Sequence, residues 1–271
     1  MVDCGEGAQI QLRRSGLSFN KLGHIFISHL HGDHCFGVIG LISTLGLLGR
    51  TATLHIHAPE DFRIMLKSQL DLFFNYDIGY KVEFHAVDTT KHQVIYEDHS
   101  LQVESIPLEH RMPCCGFLFR EKPGLPHIRR EAIDFYNIPS WHINNIKAGA
   151  DWTTPDGETI PHERLTMPAD PARAYAYCSD TRYMPHLHKM LQDINTLYHE
   201  STYARDKIDN AIKYYHSTAE QAAMVARDAH VKQLILGHYS ARYDDETVLL
   251  KEAKEIFENV RLSNEKDVFD V

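Results

Sequence analysis

Polar and apolar positions along this chain fall into blocks that switch between strand-like alternation and helical periodicity. Lys21 to Ser28, Ala52 to His57, Lys81 to Val87, Gln93 to Tyr96, Leu101 to Leu108 and Gly116 to Arg120 read as strands, being short, apolar-rich runs bounded by turn residues. Ala8 to Arg14, Phe36 to Gly49 and Glu60 to Phe74 carry the helical spacing. The rhythm resumes late in the chain. There, strands are predicted at Ala172 to Cys178, Asn195 to His199 and Val231 to Leu236, and helices at Met184 to Leu191, Ser217 to His230 and Asp244 to Asn259. Glu121 to Pro171 interrupts it, holding most of the prolines and one helical patch around Arg130 to Tyr136. Structureless stretches of that length are usually functional or flexible, so it reads as an insertion projecting from the core. Two blocks of mixed strands and helices predict an α/β fold, a sheet sandwich flanked by helices, as one domain over residues 1–271 with an arm at about 121–171.

Composition narrows this picture little. At 43% apolar and 24% charged residues the chain is an ordinary globular sequence. It has no apolar run approaching the roughly 18 residues of a membrane span. Its first residues, Met1-Val2-Asp3-Cys4-Gly5, do not read as a signal peptide, so a cytoplasmic location is expected. Five cysteines without a Cys-x-x-Cys pair predict free thiols. The formal charge of −9 argues against generic nucleic-acid binding. Bound divalent cations would reverse the field locally, so a polyanionic substrate stays open.

Candidate chemistry concentrates in His29-Leu30-His31-Gly32-Asp33-His34, directly after the apolar Ile25-Phe26-Ile27. Three imidazoles and a carboxylate around a tight Gly-containing turn suit borderline divalent cations such as zinc, manganese or iron. Further ligand-type residues close later apolar runs: His110, Asp180, His199-Glu200 and His238. Strand ends on one sheet edge converge, so these can meet the first group. His216 precedes Ser217-x-x-Glu220, which predicts a capping box and sets His216 just before a helix. His55 and His57 share a strand face, yet no carboxylate or third histidine is seen beside them in sequence. They are therefore not expected to bind metal.

The first motif resembles the His-x-His-x-Asp-His signature of the metallo-β-lactamase superfamily. Asp3-Cys4-Gly5-Glu6-Gly7, Ser179-Asp180-Thr181-Arg182, His199-Glu200-Ser201-Thr202, His216-Ser217-Thr218-Ala219 and Gly237-His238-Tyr239-Ser240-Ala241-Arg242-Tyr243 resemble the ribonuclease Z family. That resemblance implies an αββα fold, here without its first N-terminal strands, and removal of the 3′ trailer of precursor tRNA. It implies two zinc ions, with manganese as the alternative metal. His29, His31 and His110 would hold one ion, Asp33, His34 and His238 the other, and Asp180 would bridge them. It gives His216 the role of proton donor to the leaving ribose oxygen, oriented by Glu200, and Asp33 counts with both among the catalytic groups. Ser240 and Arg242 would contact substrate phosphate.

The family likeness further implies a homodimer whose arm grips tRNA, with Lys122, Arg129 and Arg130 supplying positive charge. The arm's usual Gly-Pro pair is replaced by Ile138-Pro139-Ser140-Trp141. Two alternatives stand beside this reading. One is another hydrolase of the superfamily, phosphodiesterase or arylsulfatase-like. The other is a non-catalytic, truncated metal-binding protein.

Overall fold

Segments that alternate in the first part of the sequence form strands β1 (His24–Phe26), β2 (Leu54–Pro59), β3 (Val82–Val87), β4 (Gln93–Glu97), β5 (Leu101–Leu108) and β6 (Cys114–Glu121). The structure, a computed structural model, describes residues 1–75 and 77–271. Helix α1 (Ala8–Arg14) precedes β1, and α2 (Gly32–Cys35), α3 (Val38–Leu47) and α4 (Phe62–Phe74) lie between the early strands. Residues 120–173 contain β7 (His127–Ile128), α5 (Arg130–Phe135), α6 (Ser140–Lys147), β8 (Trp152–Thr153), β9 (Thr159–Ile160), α7 (His162–Leu165) and β10 (Thr166–Met167). The chain closes with β11 (Ala174–Cys178), β12 (Thr196–Glu200), α8 (Ile208–Tyr214), α9 (Ala219–Asp228), β13 (Gln233–Gly237), α10 (Thr247–Lys254) and β14 (Val260–Leu262).

Two compact units result: residues 1–97, 102–119 and 174–271 form one, residues 98–101 and 120–173 the other. Within the first, β1, β2 and β3 make a parallel sheet. A seven-stranded sheet runs in the order β14-β13-β12-β11-β6-β5-β4, parallel from β11 to β14. Alternation decides which face each residue serves. Ile25 and Ile27 pack with Leu41, Ile42 and Leu45 of α3 and with Phe62 and Leu66 of α4. Phe26, pointing the other way, meets Phe117 and Phe119 of the second sheet at 5.5 Å. On the far side, Ala222, Ala223 and Ala226 of α9 and Ala253 of α10 pack with Leu197, Leu234 and Leu236. Small side chains let α9 approach the sheet closely. The layers are helix, sheet, sheet, helix.

The second unit has a core of its own, built from Ala132, Ile138, Ile146, Ile160 and Leu165. The sequence reading found one helical patch here, whereas the structure has three short helices and two two-stranded sheets. These elements are too brief to show a period; they are held by converging on five buried side chains rather than by propensity. Other boundaries shift inward. The helix expected over Met184 to Leu191 is a 3-10 turn at Leu187–Met190, and the one expected over Asp244 to Asn259 is Thr247–Lys254, followed by the unanticipated β14.

All five cysteines are buried and unbridged. Burial pushes the Cys4 thiol up to about 12 and the Cys35 thiol up to about 11, with the Asp3 carboxylate adding to both. A thiolate is the reactive form, so native thiols are inert. Thiol titration near pH 8 should leave the folded chain unmodified and count five groups after denaturation. Rapid labelling of native protein would contradict this burial.

Candidate functional site

The first ligand group is delivered differently from the sequence expectation. Strand β1 ends at Phe26, three residues before His29, and Gly32, Asp33 and His34 form the short helix α2 rather than an open loop. The N-terminal turn clasps this segment. Cys4 N donates to His34 O at 2.7 Å, and Gly37 N donates to Cys4 O at 2.8 Å. The approach is so close that a Cβ on Gly5 would lie 2.0 Å from Asp33 O, and one on Gly37 would lie 1.9 Å from Gly5 O. Only glycine fits at either position.

His29, His31, His110 and Asp180 bring one ligand atom each within 4.8 Å of one another, and Asp33, His34 and His238 do the same. In the first group His29 Nε2 to His31 Nδ1 is 3.0 Å, His110 Nε2 to His31 Nδ1 is 3.4 Å, and Asp180 Oδ2 lies 3.7 and 3.8 Å from His29 and His110. In the second, His34 Nε2 to Asp33 Oδ2 is 3.5 Å, His238 Nε2 to Asp33 Oδ2 is 3.9 Å, and Asp180 Oδ1 lies 3.6 and 3.2 Å from His34 and His238. Zinc bonded to nitrogen at about 2.0–2.1 Å in a tetrahedron separates its ligands by about 3.3–3.4 Å. Both sets match that edge, and Asp180 contributes one oxygen to each.

Outer contacts fix which nitrogen faces the centre. His34 Nδ1 donates to Asp3 Oδ2 at 2.8 Å, His110 Nδ1 to Tyr215 O at 2.9 Å, His238 Nδ1 to Thr202 Oγ1 at 3.0 Å and His29 Nδ1 to Ser28 Oγ at 3.0 Å. Each of these rings is thereby held as a tautomer whose Nε2 lone pair points inward. Asp180 is buried, and its Oδ1 has no hydrogen-bond partner among the described residues. Converging lone pairs and an orphaned carboxylate oxygen are costly alone and natural around cations. The donor set therefore fits a pair of divalent metal ions.

Electrostatics agree. Burial, reinforced by His34 and the other neighbouring imidazoles, lowers the His29 pKa to about 2. Burial also acts to lower that of His238, but the surrounding carboxylates of Asp33, Asp180 and Glu200 outweigh it and raise it to about 9, so without a cation at the centre this ring takes up the positive charge itself. The neighbouring His238 in turn holds the Asp33 carboxyl well below the usual range. His238 has a φ of 57°, a left-handed conformation rare for a side chain of this size, which turns it inward from the end of β13.

His216 sits beside this cluster, its ring 5.1 Å from His110 and 5.4 Å from His238. Its Nδ1 donates to Glu200 Oε1 at 3.0 Å. Glu200 is fully buried and accepts four more hydrogen bonds: from the amides of Thr181, Thr202 and Ser217 and from the Thr202 hydroxyl, at 2.8–3.1 Å. Burial acts to raise its pKa, but the bond to His216 and these other partners lower it overall. The capping box lies one residue later than the sequence suggested. Thr218 is the N-cap and Gln221 its partner, because the Ser217 hydroxyl donates instead to Thr181 O at 2.8 Å. Glu220 faces outward to Arg205. Ser240 donates its amide to Thr202 O at 3.2 Å, whereas Arg242 is exposed.

Sequence reasoning missed the groups that act through others. Asp3 accepts from the Ser28 amide and hydroxyl, from His34 and from the Tyr177 hydroxyl, at 2.8–3.0 Å. Thr202 bridges Glu200, His238 and His216. The Asp3-Cys4-Gly5 segment enters the sequence reading through the family likeness alone, with no role for its carboxylate.

A family model described as anti-Pycsar protein Apyc1 matches residues 1–125. Ribonuclease Z of Bacteroides fragilis is 55% identical over 98% of this chain and 87% of its own length. Ribonuclease Z of Porphyromonas gingivalis is 48% identical over the whole chain and 89% of its own. Among solved structures, human tRNase Z, short form, aligns with a TM-score of 0.66 at 22% identity, covering 99% of this chain and 86% of that one. The metallo-β-lactamase fold protein YhfI from Bacillus subtilis aligns with a TM-score of 0.65 at 17% identity, with the same coverage of 99% and 86%. These two likenesses show the fold.

Glu200→Gln tests the buried carboxylate. Oε1 faces the amides of Thr181 and Ser217, and Oε2 faces that of Thr202. An amide nitrogen in either place therefore opposes a backbone N–H. Urea denaturation should show a loss of about 1–3 kcal/mol; an unchanged midpoint would mean the carboxylate is not the hub described.

Proposed function

The chain belongs to the ribonuclease Z family, metal-dependent endoribonucleases that process the 3′ end of precursor tRNA, and on that premise we propose how its residues divide the work. His29, His31 and His110 would hold one zinc ion and Asp33, His34 and His238 a second, with Asp180 available to both. Manganese is the alternative metal. When bound, the ions supply a water acidified for attack on phosphorus and positive charge for the phosphoryl oxygens. Asp3, Ser28, Thr202 and the carbonyl of Tyr215 keep the ligand imidazoles oriented.

His216 delivers a proton from Nε2 to the leaving ribose oxygen. Its Nδ1 is committed to Glu200, which fixes the ring and leaves Nε2 as the atom that exchanges a proton. Glu200 is a positioning residue. Ser240 and Arg242 follow the last ligand and contact substrate phosphate. Residues 121–171 serve as the arm of a single catalytic domain, with Lys122, Arg129 and Arg130 meeting the tRNA backbone. The active form is a cytoplasmic homodimer, as the family likeness implies.

One observation carries this reading. Seven ligand-type side chains from four separated stretches of sequence, Asp180 at their centre, converge at tetrahedral spacing, with a carboxylate-held imidazole at their side. Incubation of the purified, zinc-loaded protein with a precursor tRNA should give a cut next to the discriminator base, mapped by primer extension. His216→Ala should lower the cleavage rate by about 10²–10⁴-fold, the range of general acid catalysis, with zinc content unchanged. Loss of zinc from that variant would make His216 a ligand instead.

A further inference from the structure

Strand register builds a second group of ligand-type side chains, well apart in sequence from the first motif. The β1–β2 pairing sets His24 against His55 and Phe26 against His57, and the β2–β3 pairing sets His55 against Glu83 and His57 against His85. Paired residues of a parallel sheet, and residues two apart on one strand, share a face. One face of this sheet therefore carries two rows: His24, His55 and Glu83, then Phe26, His57 and His85. It is the face turned to the second sheet, since Phe26 meets Phe117 and His24 lies 4.3 Å from Tyr96. An inner sandwich face is ordinarily apolar. Four imidazoles and a carboxylate there call for a reason.

His55 Nδ1 lies 3.0 Å from His85 Nε2 and 3.3 Å from Glu83 Oε2, and the third side of the triangle, His85 Nε2 to Glu83 Oε2, is 3.9 Å. These spacings match those of the first cluster and bracket the edge of a zinc tetrahedron, about 3.3–3.4 Å. The ring planes are set from behind. His24 stacks on His55 at 4.7 Å and His57 stacks on His85 at 4.6 Å, while His57 Nε2 and His24 Nδ1 pair at 3.1 Å. His57 is buried, and burial together with His85, His24 and His55 lowers its pKa to about 3, so it adds no positive charge beside an incoming cation. Lys81 pairs with the other oxygen of Glu83, Oε1, and leaves Oε2 to the imidazoles. The side chains of His55, Glu83 and His85 are 28, 32 and 41% exposed, which gives an ion a way in and a water room at a fourth position.

We propose that His55, Glu83 and His85 form an additional site for one divalent cation of the zinc class, sharing no ligand with the cluster around Asp180. Two imidazoles and one carboxylate are a donor set that zinc, cobalt or nickel accepts readily and that magnesium or calcium does not. Three protein ligands with an open fourth position describe an exchangeable ion rather than a sealed structural one.

Equilibrium dialysis against zinc, followed by elemental analysis, tests this. His85→Asn should bind one zinc equivalent fewer than the wild-type chain and keep precursor-tRNA cleavage within about twofold, since His85 lies outside the catalytic cluster. Glu83→Gln, at a partly exposed position, provides the same readout if His85→Asn does not fold. In an Asp180→Asn background, where the first cluster is impaired, one equivalent should remain and should disappear on adding Glu83→Gln. Equal zinc content in wild type and both single variants would overturn the proposal and leave a histidine–histidine hydrogen bond only. Failure of tRNA cleavage with the extra equivalent present would overturn the functional reading and not this one.

Discussion

Mutual repulsion among inward-facing lone pairs is the constraint on which this structure depends. Five imidazole nitrogens and the oxygens of Asp33 and Asp180 stand 3.0–3.9 Å apart, a packing that positive charge at their centre would favour and that solvent-free protein alone would resist. Holding them there requires rigid backing, and the chain supplies it from the first residues onward. Asp3 ties Ser28, His34 and Tyr177 to one carboxylate. Gly5 and Gly37 let the N-terminal turn press against α2 with no side chain between. The cost of gathering the ligands is spread over contacts that have no chemical role themselves.

Much of the site was legible before any coordinates, for a local reason. His29 to His34 declare their chemistry within six residues, and His110, Asp180, Glu200 and His238 each end or follow an apolar run. A strand delivers whatever follows it to the sheet edge, so that pattern survives projection onto one dimension. Family likeness then supplied the pairing of ligands, which spacing could not. Functions that depend on distant partners were not legible. Asp3 carries no role in the sequence alone because Ser28, His34 and Tyr177 lie 25 to 174 residues away.

Two misreadings share one cause. Ser217 looked like a helix cap because its spacing to Glu220 is right, yet the Thr181 carbonyl claims its hydroxyl and the cap passes to Thr218. His55 and His57 looked unaccompanied because their partners Glu83 and His85 belong to another strand. In both cases a tertiary contact, invisible in a linear pattern, outweighs the local signal. The second unit makes the same point through packing. Its helices are short enough that Ile138, Ile146 and Ile160 meeting in a shared core, not periodicity, makes them hold.

Thr202 has a consequence for the orientation of two rings. Its hydroxyl has a single hydrogen, spent on Glu200 Oε2, so toward His238 and His216 it can only accept. Both rings must therefore carry hydrogen on Nδ1, which leaves Nε2 as the ring atom each turns away from Thr202. A lone threonine thus acts as a polarity key: by spending its hydrogen elsewhere, it makes two neighbouring imidazoles face the same way for different tasks.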